Sequence, residues 1–476
     1  MTSVKTRSAL ALLVLLGVGA ALRLHHLGKE SLWLDEAFSI TIARVSVAHI
    51  IDETSRDVHP PLYYTLLRYW MLMAGSTEAA ARLLSVLLSL GTVVAAYFMG
   101  LRLVNRRAGL AAAALLTFLP FQVEFSQEAR MYSLLALLGT ISFRCLVGLF
   151  DSPSPRWKVA YALSTAAMLY TQIYGSFVFA GEIACMTWML VLNRGRLRPE
   201  FVRWLGSAIA AAALFIPWMF VLARQASRVQ SGFWIPRRPW IAILEPFWTY
   251  SGSVALVAVL APLAGLGFVL LVWRSRTTVA ARPGPPPALI LGCWLAAPIV
   301  IPFVLSQIGS PIFLPKYTIP ASVPFAILAG AGIAAFRGTL LPVGLVGLLA
   351  YLSISPLQTF FSTPRKDDWR AAAAYVDTHA SAGDLVVFYR DFNYLPFDYY
   401  KRRSDYFEGP FPLYAEPSSA ILPPVVQKAT GDHRRVWFVV LSYDPAKLLI
   451  ADAFRQTFTE RDHFETTHID VFLFER

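Results

Sequence analysis

Charge is what this sequence is short of. Only 15% of its 476 residues are Asp, Glu, Lys or Arg, against 56% hydrophobic, where soluble proteins carry roughly 25% charge. That deficit points to the membrane before any motif is considered. Cysteine is also scarce: Cys145, Cys185 and Cys293 are the only three. Each lies inside an apolar run without metal-ligand spacing, which excludes a disulfide framework and leaves small buried hydrophobes. A continuous basic face is missing too. The formal charge of +12 comes from Lys and Arg in short islands between apolar runs, so nucleic acid is not an expected partner. Internal repeats and low-complexity tracts are absent.

What remains is a series of apolar stretches. A hydrocarbon core of about 30 Å needs roughly 20 residues of helix. The stretches that qualify are 8–27, 79–101, 108–124, 131–150, 157–173, 174–192, 204–223, 253–273, 288–306, 318–336 and 340–356, about 11 transmembrane helices. The first reads as a retained signal anchor rather than a cleaved signal. Lys5 and Arg7 place the N-terminus in the cytoplasm, and alternate loops then carry the basic islands: Arg102, Arg106 and Arg107; Arg156 and Lys158; Arg194, Arg196, Arg198 and Arg203; Arg274, Arg276 and Arg282; Arg337. The segment Pro60 to Ala74 is short and carries Arg68 in its middle, and counting it would invert every later loop. It reads as an interfacial helix with Tyr63, Tyr64, Tyr69 and Trp70 at headgroup level. Residues 34–52 read as a second surface helix in the same external loop.

The expected fold is therefore a polytopic α-helical membrane domain over 1–360 and an extracytoplasmic α/β domain over 361–476. In the latter, short β-rich runs (384–389, 435–441, 469–474) alternate with amphipathic helix such as 367–379. Its aromatics Tyr389, Phe392, Tyr394, Phe397, Tyr399 and Tyr400 are numerous enough to line a sugar-binding face, or else form a core.

Chemistry concentrates in the external loops. Asp35 and Glu36 follow the first apolar run within Leu32-Trp-Leu-Asp-Glu-Ala-Phe-Ser39, and Asp57-Val-His-Pro-Pro-Leu-Tyr-Tyr64 comes later in the same loop. A carboxylate beside the bilayer suits a base that takes a proton from a hydroxyl. It equally suits the N-cap and first turn of a surface helix. Arg130, at the mouth of a span beside Glu128, fits a phosphate ligand or headgroup snorkelling. Lys316 and the pair Arg237-Arg238, in a loop (224–252) that also holds Arg224, Arg228, Phe233, Trp234, Trp240, Phe247 and Trp248, have the same two readings. His59, Tyr132 and Tyr317 fit substrate contact or packing.

The residues Trp33-Leu-Asp35-Glu36-Ala-Phe38, His59-Pro-Pro-Leu-Tyr63-Tyr64, Glu128-Ala-Arg130-Met-Tyr132 and Lys316-Tyr317 resemble those of the GT-C superfamily of membrane glycosyltransferases. The likeness is to bacterial relatives of protein O-mannosyltransferases and of the lipid A aminoarabinose transferase, and it covers about 1–350. It implies an inverting transferase of the bacterial inner membrane, mannosyltransferase-like and moving a hexose or pentose. The donor would be a polyprenyl-phosphate sugar, and the acceptor hydroxyl would belong to a membrane-proximal glycan, lipid or protein. Asp35 would be the base with Glu36 as its orienting neighbour; Arg130, Lys316, Arg237 and Arg238 would hold the donor phosphate; His59, Glu128, Tyr132 and Tyr317 would contact substrate. Many relatives have Arg where this chain has Lys316, which lacks the bidentate fork. No cofactor is expected; the alternative is a divalent metal held by Asp35, Glu36, His59 and Glu128. The competing functions are a transporter or flippase of lipid-linked sugar and a non-catalytic binder of it. Against transport, the polar clusters lie at one membrane face rather than at the midplane.

Overall fold

The computed structural model describes the chain except residues 1, 193–197, 231–234, 278–283, 413–417 and 419. Arg194, Arg196, Phe233, Trp234 and Arg282 thus fall outside the described residues. The chain groups into two compact units: Met1–His25, Val45–Gly75 and Ala80–Phe361 in the first, and His26–Arg44, Ser76–Ala79 and Ser362–Arg476 in the second. In chain order the helices are α1 (Thr2–Leu24), α2 (Leu34–Arg44), α3 (Val47–Arg56), α4 (Leu62–Ala74), α5 (Glu78–Leu103), α6 (Arg106–Phe118), α7 (Pro120–Ser126), α8 (Tyr132–Asp151), α9 (Pro155–Leu169) and α10 (Tyr174–Leu192). Then follow α11 (Pro199–Gln230), α12 (Glu245–Ser251), α13 (Val254–Thr277), α14 (Pro287–Ile308), α15 (Ile319–Ile333) and α16 (Leu340–Ser362).

Among the described residues, α1, α5, α8, α10, α11, α13, α14 and α16 are the 8 helices long and apolar enough to span a bilayer; α6 and α7 make a ninth, bent by 60°. The chain is an integral membrane protein. Helices α9 and α15, two of the 11 expected spans, are short. Each has 15 residues, about 22 Å of helix against a core of roughly 30 Å.

The bend between α6 and α7 follows from Pro120. Its ring drives Leu119 to extended backbone (φ −62°, ψ 129°), and its missing N–H frees a carbonyl one turn back. Arg23 of α1 fills the gap, donating from Nη2 to Leu116 O and from Nη1 to Thr117 O at 2.8 Å each, while Nε donates to Ser89 Oγ at 3.0 Å.

Helix α15 is buried along its whole length. It lies against α13 with almost no side chain between them: a Cβ on Gly267 would collide with Leu328 O, and one on Gly332 with Leu263 O. Such close backbone packing is how membrane helices associate without a hydrophobic drive. It fixes the start of α15, and with it Lys316-Tyr317.

The first external loop departs from expectation in two ways. Residues 34–52 form α2 and the start of α3, broken where Ser46 caps α3 through its side chain. Tyr63 and Tyr64 of α4 are fully buried rather than at headgroup level, although Tyr69 is exposed. Helix α11 also runs on through Arg224 and Arg228, where a loop was expected.

The second unit carries α17 (Trp369–His379), β1 (Leu385–Phe388), α18 (Tyr394–Tyr400), β2 (Phe407–Pro410), α19 (Leu422–Thr430), β3 (Arg435–Leu441), α20 (Lys447–Arg455), β4 (Thr459–Thr466) and β5 (Ile469–Glu475). The sheet order is β2-β1-β3-β5-β4. Strand β1 runs parallel to β2 and β3, and β5 antiparallel to β3 and β4. Alternate residues of β1, β3 and β5 enter two cores, one with α19 and α20 and one with α17. Burial on both faces is why these three strands read as continuous apolar runs. Strand β4 alternates exposed and half-buried residues, and β2 ends in Pro410. Both are edge strands that lack the apolar signal.

Candidate active site

In the membrane unit, segments far apart in sequence meet where α8 and α15 begin. Arg130 closes the turn between α7 and α8, with its N–H donating to Glu128 O at 2.8 Å. Its guanidinium, 3% exposed, donates from Nη2 to His59 Nε2 at 3.1 Å and from Nη1 to Tyr64 Oη at 3.4 Å. Tyr63, Ser85 and Arg130 O form a second link, at 3.4 Å for each bond.

The third segment brings Lys316, whose Nζ lies 5.7 Å from the ring centre of Tyr132 and 5.6 Å from that of Tyr317. Those rings stack at 6.2 Å, and Tyr174 meets Tyr317 edge-on at 5.5 Å. Tyr174 also donates to Ile312 O at 2.9 Å, tying this loop to the start of α10. Aromatic faces hold the ammonium without neutralising it.

The electrostatics follow. Burial pushes the His59 imidazole well below its ordinary pKa, and Arg130 and then Lys316 push it further. It stays neutral at physiological pH. Because Arg130 only donates, Nε2 is the acceptor and the ring proton belongs on Nδ1. The cluster therefore sets two cations beside a neutral imidazole. Helices α8 and α15 begin beside it, and the dipole at a helix start adds positive potential. An anion with several oxygens is what such a place receives.

Asp35 and Glu36 belong to the second unit, in the first turn of α2. Glu36 is fully buried, and its Oε2 accepts from Lys366 Nζ at 2.9 Å. Asp35 is half-buried, and its carbonyl accepts from Ser39 Oγ at 2.8 Å. The residues before α2 are pinned by this unit's own later segments. Tyr400 Oη accepts from Leu32 N at 2.7 Å and donates to Glu78 at 2.9 Å; Ser31 Oγ donates to Asp367 O at 2.7 Å and accepts from Trp369 N at 3.1 Å.

Of the other expected residues, Arg237 donates to Gly309 O at 3.0 Å and Arg238 pairs with Glu245 at 3.7 Å, so their partners lie outside the His59–Arg130–Lys316 cluster. The residues with metal-ligand spacing among those described are His49, Asp52 and Glu53 of α3. Asp35, Glu36, His59 and Glu128 are not part of that group. Sequence reasoning missed Lys366 as the partner of Glu36, since nothing local marks a lysine 330 residues away. It placed Tyr64 at the lipid headgroups, when it touches Arg130. Tyr399 and Tyr400 were candidates for a sugar-binding face; they bind Ser76 O and Leu32 N instead.

The spans and the sheet domain together have the GT-C fold, as the similarity to solved structures shows. The profile of the dolichyl-phosphate-mannose-protein mannosyltransferase family matches residues 58–220. ArnT from Cupriavidus metallidurans in the apo state is similar at a TM-score of 0.67 and 13% identity, over 99% of this chain and 98% of that one. The same protein bound to undecaprenyl phosphate gives 0.64 and 14%, over 99% and 98%. The oligosaccharyltransferase AglB from Archaeoglobus fulgidus, in complex with an inhibitory peptide and a dolichol-phosphate, gives 0.57 and 11%, over 97% and 74%. No curated protein matches the chain by sequence.

Proposed function

We propose that this protein is an inverting glycosyltransferase that moves a sugar from a polyprenyl-phosphate donor to a membrane-proximal acceptor hydroxyl. The observation that carries this reading is the buried Arg130 bonded to His59, with Lys316 against the rings of Tyr132 and Tyr317, where α8 and α15 start. The similar ArnT was solved with undecaprenyl phosphate, and AglB with a dolichol-phosphate and a peptide, ligands of the class such a cluster would take.

In the reaction the acceptor oxygen attacks the anomeric carbon as the bond from that carbon to the phosphate oxygen breaks. Asp35 takes the hydroxyl proton, and the leaving polyprenyl phosphate carries away the bonding pair. Arg130, Lys316 and the helix starts stabilise the charge that develops on it. Glu36, paired with Lys366, orients α2 and with it Asp35. Direct attack needs one base, so no covalent sugar–enzyme intermediate forms. The basic islands in alternate loops support a cytoplasmic N-terminus and a protein of the bacterial inner membrane.

The test is transfer from a panel of synthetic polyprenyl-phosphate hexoses and pentoses to membrane lipid, glycan and protein fractions by the purified protein. Labelled product of inverted configuration, absent with Asp35→Asn, is the expected result. Binding of the donors without turnover by the native protein would refute it in favour of a sugar-lipid binder.

A further inference from the structure

The opposite end of the membrane unit carries a feature that sugar transfer does not use. Between α9 and α11 lies an open groove of about 350 Å³, lined by Lys158, Val159, Ala162, Val202, Arg203, Gly206, Ser207 and Ala210. Its far part is a trough of small residues: a Cβ on Gly206 would meet nothing within 4 Å. The side chains flanking it, Val159, Leu163, Leu205 and Ile209, are exposed hydrophobics, as expected of a lipid-facing surface.

Its near part has the wrong charge for its place. Helix α9 begins with no acidic residue in its first turn and no side-chain cap, and Arg156 and Lys158 stand there instead. Cations at a helix start oppose the dipole. Lys158 Nζ has no ion-pair or hydrogen-bond partner among the described residues. Arg203, across the groove, pairs with Glu200 at 3.3 Å and donates to Leu149 O at 3.1 Å, yet its buried Nε has no partner. One acid therefore faces two cations and an uncapped helix.

We propose that this groove binds one anionic phospholipid of the surrounding leaflet, its phosphate between Lys158 and Arg203 and an acyl chain along Ala162, Gly206 and Ala210. The site lies in the leaflet that the basic loops face, and it needs both the positive mouth and the empty trough. Neither the transfer reaction nor the positive-inside distribution of charge calls for a trough of small residues leading from the cations.

The test is native mass spectrometry of the full-length protein in detergent, with added phosphatidylglycerol or phosphatidylcholine of matched chains. The wild type is expected to retain one phosphatidylglycerol in preference to phosphatidylcholine. Lys158→Glu should lower that retention by about fivefold or more, since losing one cation near a membrane surface costs about that factor. Gly206→Leu, whose Cβ enters open space and whose side chain would occupy the trough, should lower retention of the same lipid while leaving Lys158 in place. Equal retention of phosphatidylglycerol by all three proteins would overturn the proposal, as would equal retention of both lipids by the wild type. Tighter retention of undecaprenyl phosphate than of phosphatidylglycerol would also overturn it, by giving the groove to a carrier lipid.

Discussion

The two charged regions of this protein are built on opposite principles. Around Arg130 and Lys316, cations are gathered from distant segments: the ammonium lies against the rings of Tyr132 and Tyr317, and the guanidinium against a histidine that burial holds neutral. Around Glu36, a single buried acid is matched by a direct ion pair with Lys366. A leaving phosphate needs the first arrangement, because gathered cations attract the charge that develops on it. A fixed loop needs the second, because a buried carboxylate is stable only when paired. The contrast shows how one chain assigns similar side chains to binding or to architecture, and each half of it can be attacked separately.

The largest effect is expected at the proposed base. Asp35→Asn should lower transfer by about 10²–10⁴-fold, the scale of a lost general base, with an unchanged melting temperature. Wild-type turnover by the Asn variant would remove Asp35 from the chemistry. Next come the gathered cations: Arg130→Ala should cost about 10²–10³-fold in turnover, falling on donor use rather than acceptor use in initial-rate kinetics. If Arg130 were only architectural, like Arg23, both substrates would suffer alike.

The paired charge should respond through stability. Lys366→Met leaves Glu36 buried without its ion pair and should cost about 3 kcal/mol, read as a fall in melting temperature. Adding Glu36→Gln should recover most of it, and failure to recover would show that the pair does not act as a unit.

The smallest effect concerns His59. Its folded pKa lies below the unfolded value near 6.5, so as pH falls below 6.5 the unfolded chain takes up a proton that the folded one refuses. Stability is full above that pH and declines beneath it. The loss should reach about 1.4 kcal/mol at pH 5.5, seen as a lower melting temperature than at pH 7.5. His59→Gln should abolish this slope; an unaltered slope would place the titration elsewhere.

Much of this was legible in the sequence, and the reasons are physical. Spans announce themselves because lipid tolerates almost nothing but apolar helix, and β1, β3 and β5 because burial on both faces makes them continuous runs. The α2 carboxylates and the His-Pro-Pro segment were visible because their chemistry is compressed into a few adjacent residues. What escaped is whatever depends on partners distant in sequence. Tyr64 looked like a headgroup anchor because sequence shows its character and not its neighbour Arg130. Strands β2 and β4 were missed because edges carry no apolar pattern, and the shortness of α9 because only Thr171 and Gln172 interrupt the hydrophobic and aromatic residues where the helix breaks.

Arg23 sets a constraint on assembly. Its carbonyl acceptors, Leu116 and Thr117, lie 93 and 94 residues further along the chain. At roughly 5–20 residues per second of synthesis, the first helix waits on the order of 5–20 s in the membrane with an unsatisfied guanidinium. The arrival of the proline-broken hairpin is therefore the event that locks the N-terminal helix at its final depth.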